Sequence, residues 1–446
     1  MHKVVAISAG MLAPKKGNEP FRRAHRYLNY GLLGLASAFN EDVPVYHGNF
    51  DTASKFLSNY PEIREAKIVL LSLPSFYAVK WAKNLVNLLF SGNNKLEIHI
   101  GGRWVIDQNW EYVASQFPRN VTLHKGMGEL KVARWKTSWF SSSTEDARTS
   151  SSQLNYNLLM DRHAFQPSVE VSRGCGLGCA FCEEANERLT PMKQPDKLLN
   201  EIENILSCYG SLRNFYFESS MFAPSTSWVQ AFSKEYNRRG MSFKWRTESR
   251  VDVLDVAKIA GLAASGLCIL DLGLESAAPS QILNMGKSKD PIKYLHKATE
   301  ILAACEKYGV KAKVNILLYP GETRKTVSET RLFLKENKTS IFGVSTYPVV
   351  VYGIGERAKY FDSMYQTQGA HGIRPTETDG VWDVELSKEI DAVAAKEIAL
   401  EIAQSFMPAK NYFELKQFSY LDQNYGWSEF LKDFSALEAR NLPFGN

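Results

Sequence analysis

The stretch that decides the fold reads PSVEVSRGCGLGCAFC and spans residues 167–182. Its first half predicts a short β-strand that ends in a glycine turn. Its second half places Cys175, Cys179 and Cys182 within eight positions of a chain that holds only six cysteines. Three kinds of site compete to explain this spacing: a structural zinc site, a disulfide with one thiol left over, and an iron–sulfur cluster with one uncapped iron.

Length and charge limit the classes of protein to consider. With 446 residues the chain is long enough for two or three domains. The net charge of +5 is small, and no dense run of lysine and arginine favours nucleic acid or a membrane surface as a partner. No apolar run approaches the ~18 residues that span a bilayer. Clustered cysteines suit a reducing compartment, so we expect a cytoplasmic protein whose apolar start is a buried strand rather than a signal peptide.

Residues 1–135 alternate short β-branched runs with helical stretches such as RYLNYGLLGLASAFN and FYAVKWAKNLVNLLF. Apolar strands separated by helices predict a doubly wound, Rossmann-like parallel sheet. Small residues follow several of the strands, and they mark the edge where such sheets bind ligands. The strand candidates are KVVAISAG, DVPVYHGNF, AKIVLLSLPS, KLEIHIGGRW and NVTLHKGMGE.

The pattern changes twice after residue 135. Residues 136–165 include a Ser/Thr-rich stretch with little periodicity, which predicts a linker. Residues 166–370 alternate strands with helices and predict a partial (β/α)6 barrel of the TIM type, and residues 371–446 are predicted to be a helical C-terminal region. The six strand candidates are PSVEVSRG, NFYFESS, SFKWRTESR, CILDLGLES, KAKVNILLYP and FGVSTYPVVVY.

The cysteine trio follows the first barrel strand, at the face where barrel enzymes keep their active sites. Zinc needs a fourth ligand, and the nearest histidine, His163, precedes the strand. A disulfide does not suit a reducing compartment. Three thiolates on a four-iron cluster leave one iron open to a ligand.

The spacing Cys-x3-Cys-x2-Cys, with Phe181 before the last cysteine, resembles the signature of the radical S-adenosylmethionine (SAM) superfamily. Later segments resemble the subfamily with an N-terminal cobalamin-binding-type domain, and the likeness covers residues 1 to about 350. The segments that carry it are FYFESSMF, WRTESRVDVLD, LGLESAAPSQILNMGKS, LLYPGETRKTVSET, YGLLGLASAF and LHKGMGEL.

The resemblance implies two cofactors, a [4Fe-4S] cluster on the three cysteines and SAM on its open iron. Reductive cleavage of SAM would release a 5′-deoxyadenosyl radical. Arg250 is expected to bind the methionyl carboxylate through its guanidinium fork, and Glu218 and Glu275 the amino group or the ribose hydroxyls. Phe181 is expected near the adenine, and Asn315 facing the cavity.

Catalytic acids and bases are not fixed by the sequence. The candidates are Tyr319, Tyr352 and Glu183, which lie near predicted strand ends or the cluster loop. The expected partners are a small-molecule substrate, an external electron donor of the flavodoxin or ferredoxin type and, for some outcomes, a product reductase. We expect no nucleic acid and no membrane.

One departure from the subfamily bears on the reaction. Histidine-ligating cobalamin domains carry Asp-x-His-x-x-Gly after the first strand, where this chain reads SAGMLAPKKG. We therefore do not favour cobalamin, although some relatives hold it without a histidine. The first hypothesis is radical dehydration or elimination on a polar, natural-product or sugar-like molecule, as in the radical diol dehydratases of aminoglycoside biosynthesis. The alternatives are a cobalamin-dependent radical C-methyltransferase and, more remotely, a non-enzymatic metal-binding protein.

Overall fold

The computed structural model describes residues 3–11, 27–93, 95–132, 134–135, 139, 153–182, 184–185, 187–210, 214–352, 356–373, 381–421, 424–435, 437–438 and 442–445. The chain divides into two compact units. The N-terminal unit contains the strand Val4–Ser8 and Arg26–Phe165, and the barrel unit contains Gln166–Val351 and Phe361–Asn446. The limits of the four predicted regions stay predictions.

The N-terminal unit is built on a five-stranded parallel sheet in the order β2-β1-β3-β4-β5. This order reverses direction between β1 and β3, so the predicted doubly wound sheet is confirmed. The strands are β1 Val4–Ser8, β2 Val45–His47, β3 Ile68–Ser72, β4 Glu97–Gly101 and β5 Thr122–Leu123. The helices are Tyr30–Ala38, Ala53–Asn59, Val79–Gly92 and Trp110–Gln116.

The barrel unit contains a six-stranded sheet in the sequential order β6 to β11, and every neighbouring pair is parallel. The partial barrel is therefore confirmed. Register places Glu170 beside Glu218 and Glu248 beside Asp271. The strands are β6 Ser168–Glu170, β7 Asn214–Glu218, β8 Lys244–Arg250, β9 Leu267–Glu275, β10 Lys311–Leu318 and β11 Gly343–Pro348.

Capping side chains fix where several barrel helices begin. Asp255 and Asp290 each accept a hydrogen bond from the backbone three residues later, and Thr323 forms a reciprocal capping box with Thr326. The helices after β5 are Pro195–Tyr209, Thr226–Arg238, Val256–Ala264, Pro279–Asn284, Pro291–Lys307, Arg324–Glu336, Glu356–Gln366, Ala392–Phe406, Ala409–Ser419 and Trp427–Ser435. Short 3-10 turns occupy Pro61–Glu65, Phe76–Ala78, Asp107–Asn109, Gly128–Lys131, Tyr156–Leu158, Arg162–Ala164 and Val251–Val253.

The C-terminal region is helical from Ala392 onward, as predicted, but strands precede the helices. β12 (Val350–Tyr352), β13 (His371–Ile373) and β14 (Val381–Glu385) form a second small sheet in the order β12-β14-β13. The sequence analysis missed this sheet because two of its strands, β12 and β13, have three residues each, which is too short to show alternation. No helix among the described residues is long and apolar enough to cross a membrane.

Aromatic side chains fill the core on the helix side of the barrel strands. Trp245 and Phe217 are fully buried and stack with ring centroids 4.3 Å apart. The Trp245 indole donates to the Ser265 carbonyl at 2.7 Å, so its polar group is satisfied. This packing fixes β7 and β8 side by side and directs their alternate, polar residues toward the barrel interior.

Candidate functional site

The loop that carries the three cysteines begins directly after β6, at the carboxyl ends of the barrel strands. The amide of Cys175 donates to the Glu187 carbonyl at 2.8 Å, and the amide of Ala180 donates to the Met285 carbonyl at 3.0 Å. Gly174 has φ +72°, and a Cβ there would lie 2.4 Å from the Arg188 carbonyl oxygen. The loop therefore needs glycine at this position.

The three thiols lie within electrostatic range of one another. Burial raises the pKa of Cys182; the Glu184 amide lowers it, and negative charge on Cys179 and Cys175 raises it further. Cys179 is buried, whereas the other two are partly exposed. None of the chain's six cysteines forms a disulfide, so that explanation of the trio has no support.

Each sulfur has a different neighbour. The Cys175 thiol lies 3.7 Å from the Met221 sulfur, and Cys182 Sγ accepts a hydrogen bond from the Glu184 amide at 3.4 Å.

Among the described residues, no group of three His, Cys, Asp or Glu side chains converges on a position for a single metal ion. A four-iron cube does not need such convergence, because each thiolate binds its own iron. Three thiolates on one loop therefore suit a cluster.

Arg250, the last residue of β8, lies against the cysteine loop. Its Nη1 donates to Cys179 Sγ at 2.8 Å, and its Nη2 to the Lys287 carbonyl at 2.6 Å. Nε and Nη2 hold the two carboxylate oxygens of Asp252 at 2.9 Å each. Although burial alone would lower the pKa of Arg250, the Asp252 pair raises it above its usual range. The guanidinium of Arg250 can therefore bind a carboxylate at two points, as predicted, but the carboxylate it binds is that of Asp252.

Glu275 ends β9 in a conformation that non-glycine residues rarely adopt, with φ +68°. Its Oε1 accepts a hydrogen bond from Lys287 Nζ at 3.1 Å, and both side chains are largely buried. Lys287 also lies 5.7 Å from the ring centre of Phe181, on the cysteine loop. The predicted residues Phe181 and Glu275 are thus joined through Lys287. Strain held at a strand end is a common feature of binding sites.

The barrel interior carries a row of carboxylates one layer below the cysteine loop. Burial raises the pKa of Glu218 from 4.5 to about 8; Ser168 donates to it and lowers the pKa, and the negative charges of Glu248 and Glu170 raise it. Glu170 pairs with Arg173 at 2.5 Å, and Tyr216 donates to Glu248 at 3.0 Å. The predicted residue Glu218 therefore faces carboxylates and a hydroxyl.

Asp271 forms ion pairs with two cationic side chains in the barrel interior, Arg246 and Lys313. Arg246 donates to both of its oxygens, at 2.5 and 2.8 Å, and Lys313 donates at 2.8 Å. Burial would raise the pKa of Asp271, but the charges of Arg246 and Lys313 hold it well below its usual range. Lys313 also donates to the side chain of the predicted residue Asn315 at 2.9 Å, and Asn315 lies two residues nearer the end of β10, opposite Gly273.

Of the three predicted acid–base candidates, Tyr319 is the one whose side chain lies among the described residues. Tyr319 is fully buried and meets the rings of Phe181 and Tyr365 edge-on, at 6.3 and 5.8 Å. Tyr352 ends β12, but its side chain lies outside the described residues, as does Glu183. Sequence reasoning missed Asp252 and Lys287, although both fall inside segments that carry the family resemblance.

Polar side chains lie at the ends of β1 and β3, the two strands between which the strand order of the N-terminal sheet reverses. Ser8 and Ser72 are register partners on β1 and β3, and the Asn29 amide donates to both hydroxyls, at 3.0 and 3.1 Å. Because each hydroxyl accepts there, its own proton remains to donate elsewhere. His47 ends β2, and its Nε2 accepts the Asn29 backbone N–H at 3.0 Å. That nitrogen is therefore not presented to a cobalt ion.

A surface cleft of about 500 Å³ lies at the opposite end of the barrel strands. It is lined by the start of β10, the residues before β11 and the end of helix Ala392–Phe406. Barrel active sites lie at the carboxyl ends of the strands, so we do not assign catalysis to this cleft.

Comparisons with known proteins agree with the cysteine loop and the fold. The model of the radical SAM superfamily matches residues 169–334. An uncharacterized methyltransferase of Pyrococcus horikoshii is 23% identical over 171 residues, which are 38% of this chain and 36% of that protein. The chain therefore spans about a third of that relative's length.

Two solved structures share the fold. The cobalamin-dependent SAM radical enzyme OxsB, with aqua-cobalamin and SAM bound, has a TM-score of 0.60 at 15% identity, covering 82% of this chain and 55% of OxsB. The radical SAM methyltransferase TsrM from Kitasatospora setae, with tryptophan substrate and a SAM analog bound, has a TM-score of 0.58 at 15% identity, covering 77% of this chain and 73% of TsrM.

Proposed function

Because this chain carries a radical SAM domain, we propose that it is a cobalamin-dependent radical SAM enzyme that transfers a methyl group. The observation that carries the proposal is the trio Cys175, Cys179 and Cys182 on one glycine-pinned loop at the carboxyl ends of the barrel strands. Three thiolates would hold a [4Fe-4S] cluster and leave one iron for SAM. The similarity to a methyltransferase in sequence and to TsrM in fold favours methyl transfer over dehydration, which was the first hypothesis from the sequence.

The chain's own residues suit the two cofactors in different ways. The cluster would supply the electron that cleaves SAM, while the barrel orients SAM and excludes water. Phe181 offers an aromatic face for an adenine, and Lys287 holds the Glu275 carboxylate beside it. The second oxygen of Glu275 then suits a ribose hydroxyl or the SAM amino group.

The cobalamin part of the proposal rests on the N-terminal edge. The hydroxyl protons of Ser8 and Ser72 suit the amide and phosphate oxygens at the periphery of a corrinoid. Because His47 Nε2 is engaged by Asn29, cobalamin would bind without this histidine as a ligand. This agrees with the missing Asp-x-His-x-x-Gly motif.

A second candidate is radical dehydration or elimination on a polar small molecule without cobalamin. The missing motif favours it, since a domain that has lost its cofactor no longer needs a ligating histidine. In either reaction the chain needs an external electron donor, and the substrate's identity depends on loop shape rather than on motifs.

Anaerobic reconstitution with iron, sulfide and hydroxocobalamin tests the proposal. We expect about four irons per chain, in line with one cube, retained corrinoid absorption after gel filtration, and 5′-deoxyadenosine or S-adenosylhomocysteine formed from SAM only when reductant is present. Cys179→Ala should lose the iron, whereas Cys208→Ala, on helix Pro195–Tyr209, should keep it. A fully loaded cluster that cleaves SAM but retains no corrinoid would instead support the dehydratase candidate. A chain that binds zinc and does not cleave SAM contradicts both.

A further inference from the structure

The guanidinium of Arg250 has four of its five N–H bonds committed to described partners. Nε and one Nη2 hydrogen go to the two oxygens of Asp252, both at 2.9 Å. The second Nη2 hydrogen goes to the Lys287 carbonyl at 2.6 Å. One Nη1 hydrogen points at Cys179 Sγ from 2.8 Å. A single Nη1 hydrogen is left over.

This count changes the role expected of Arg250. A two-point grip on the methionyl carboxylate of SAM requires two parallel N–H bonds from the fork. The Nε–Nη2 side of the fork is held by Asp252, and the Nη1 side already meets a sulfur. Arg250 can therefore grip a carboxylate at two points only after breaking one of its bonds to Asp252, Cys179 or the Lys287 carbonyl.

The three cysteine sulfurs are not equivalent in their surroundings. Cys175 faces the thioether of Met221, and Cys182 faces the neutral backbone amide of Glu184. Cys179 is the most buried of the three, and its described partner is a permanently charged guanidinium. Cys179 thus receives a hydrogen bond from a cation, whereas Cys175 meets a thioether and Cys182 meets a backbone amide with the Glu184 carboxylate in electrostatic range.

We propose that Arg250 is a positioning residue of the iron–sulfur cluster, which donates to Cys179 Sγ and raises the cluster's reduction potential. The inference rests on the proposed function, because it requires the cluster to sit on these three cysteines. Asp252 binds the Nε and Nη2 groups of the same guanidinium with its two carboxylate oxygens.

The direction of the effect follows from charge. Reduction adds one electron, and hydrogen bonds to cluster sulfurs stabilise the electron-rich state. A cation beside a buried sulfur acts through a medium of low dielectric constant, where its field is screened less than in water. Asp252 opposes this effect, because its negative charge destabilises added electron density on the same cluster.

The midpoint potential of the reconstituted cluster, without SAM, tests the assignment. Electron paramagnetic resonance of samples poised at fixed potentials follows the reduced cluster directly. Arg250→Gln should retain iron and shift the midpoint to a more negative potential, and Arg250→Lys should shift it less. Asp252→Asn should shift it in the opposite direction. Arg238→Gln, on the exposed face of helix Thr226–Arg238, should leave it unchanged.

The outcomes separate this inference from the proposed function. A wild-type chain that assembles no cluster overturns both. A loaded Arg250→Gln variant with the wild-type potential but at least tenfold weaker SAM binding overturns the inference and makes Arg250 a carboxylate clamp. Where Arg250→Gln fails to assemble a cluster, the sign for Asp252→Asn decides. A midpoint that is unchanged or more negative in Asp252→Asn contradicts the inference.

Discussion

Replacing Glu218 with glutamine should raise the free energy of unfolding in alkaline solution and leave it almost unchanged in acid. Glutamine keeps the shape of the protonated carboxyl group but cannot ionise. Burial and the neighbouring carboxylates Glu248 and Glu170 raise the pKa of Glu218 from 4.5 to about 8, so the folded chain resists its ionisation. The protonated form favours the folded state below pH 4.5, and this advantage is lost as the pH rises to about 8.

The size of the effect follows from that pKa. One pKa unit corresponds to about 1.4 kcal/mol, so a rise from 4.5 to about 8 corresponds to a penalty of about 5 kcal/mol. Glu218 keeps some contact with solvent, which reduces the penalty. We therefore expect Glu218→Gln to exceed the wild type by about 2–5 kcal/mol in free energy of unfolding at pH 9, and by less than about 1 kcal/mol at pH 5.

Urea unfolding of the cluster-free, thiol-reduced protein at pH 5, 7 and 9 measures this difference. The gap between the Glu218→Gln and wild-type midpoints should widen steadily with pH. Glu235→Gln, on a solvent-facing helix with an exposed Arg238 partner, should show a gap that does not grow over this range. A constant gap for Glu218→Gln would refute the reasoning, because it would mean that Glu218 ionises normally in the folded chain.

Three further predictions follow from the geometry. Asp271→Asn leaves the buried cations of Arg246 and Lys313 without their carboxylate and should cost about 3–5 kcal/mol, measured by urea unfolding at pH 7. Gly174→Ala places a Cβ 2.4 Å from a backbone carbonyl and should lower the iron content after reconstitution; Gly178→Ala, at a similar φ of +70° but with nothing within 4 Å, should retain iron and cost only about 1–2 kcal/mol. Burial, with the charges of Lys131 and His99, lowers the pKa of His124 to about 4. The free energy of unfolding of the wild type should therefore fall by up to about 3 kcal/mol as the pH drops from 6.5 to 4. Thermal melting should show a smaller loss of stability in acid for His124→Gln, and equal losses would contradict the assignment.

The strands were predictable because they are short apolar runs bounded by small residues. VVAIS and IVLLS are β-branched or leucine apart from Ala6 and Ser8 in the first and Ser72 in the second, and they became the adjacent strands β1 and β3. The cysteine trio was predictable for a similar reason, since its spacing is local and lies within one loop. Both signals are carried by consecutive residues, so no knowledge of pairing was needed.

The contacts within the site depend on register, which the sequence does not show. Glu170 and Glu218 became neighbours because β6 pairs with β7 at one particular offset, and a slip of β6 by one residue would send the Glu170 side chain to the other face. Lys287 reached Glu275 across the turn that contains helix Pro279–Asn284, an element the periodicity did not predict. Arg250 was among the predicted residues, but its partner Asp252 was not, because the pairing requires the chain to turn at Val251–Val253.

Asn29 shows how the same limit applies in the N-terminal unit. Its side chain caps the helix Tyr30–Ala38 through Leu32 and bridges hydroxyls that lie 64 residues apart in the chain. The bridge holds both serine oxygens as acceptors, so each hydroxyl proton is left to donate to an acceptor atom of a ligand. A corrinoid, with its peripheral amides and phosphate, meets that requirement without help from a histidine. Under the proposed function, Asn29 would hold the two buried serine hydroxyls as acceptors and leave their protons to donate to such a ligand.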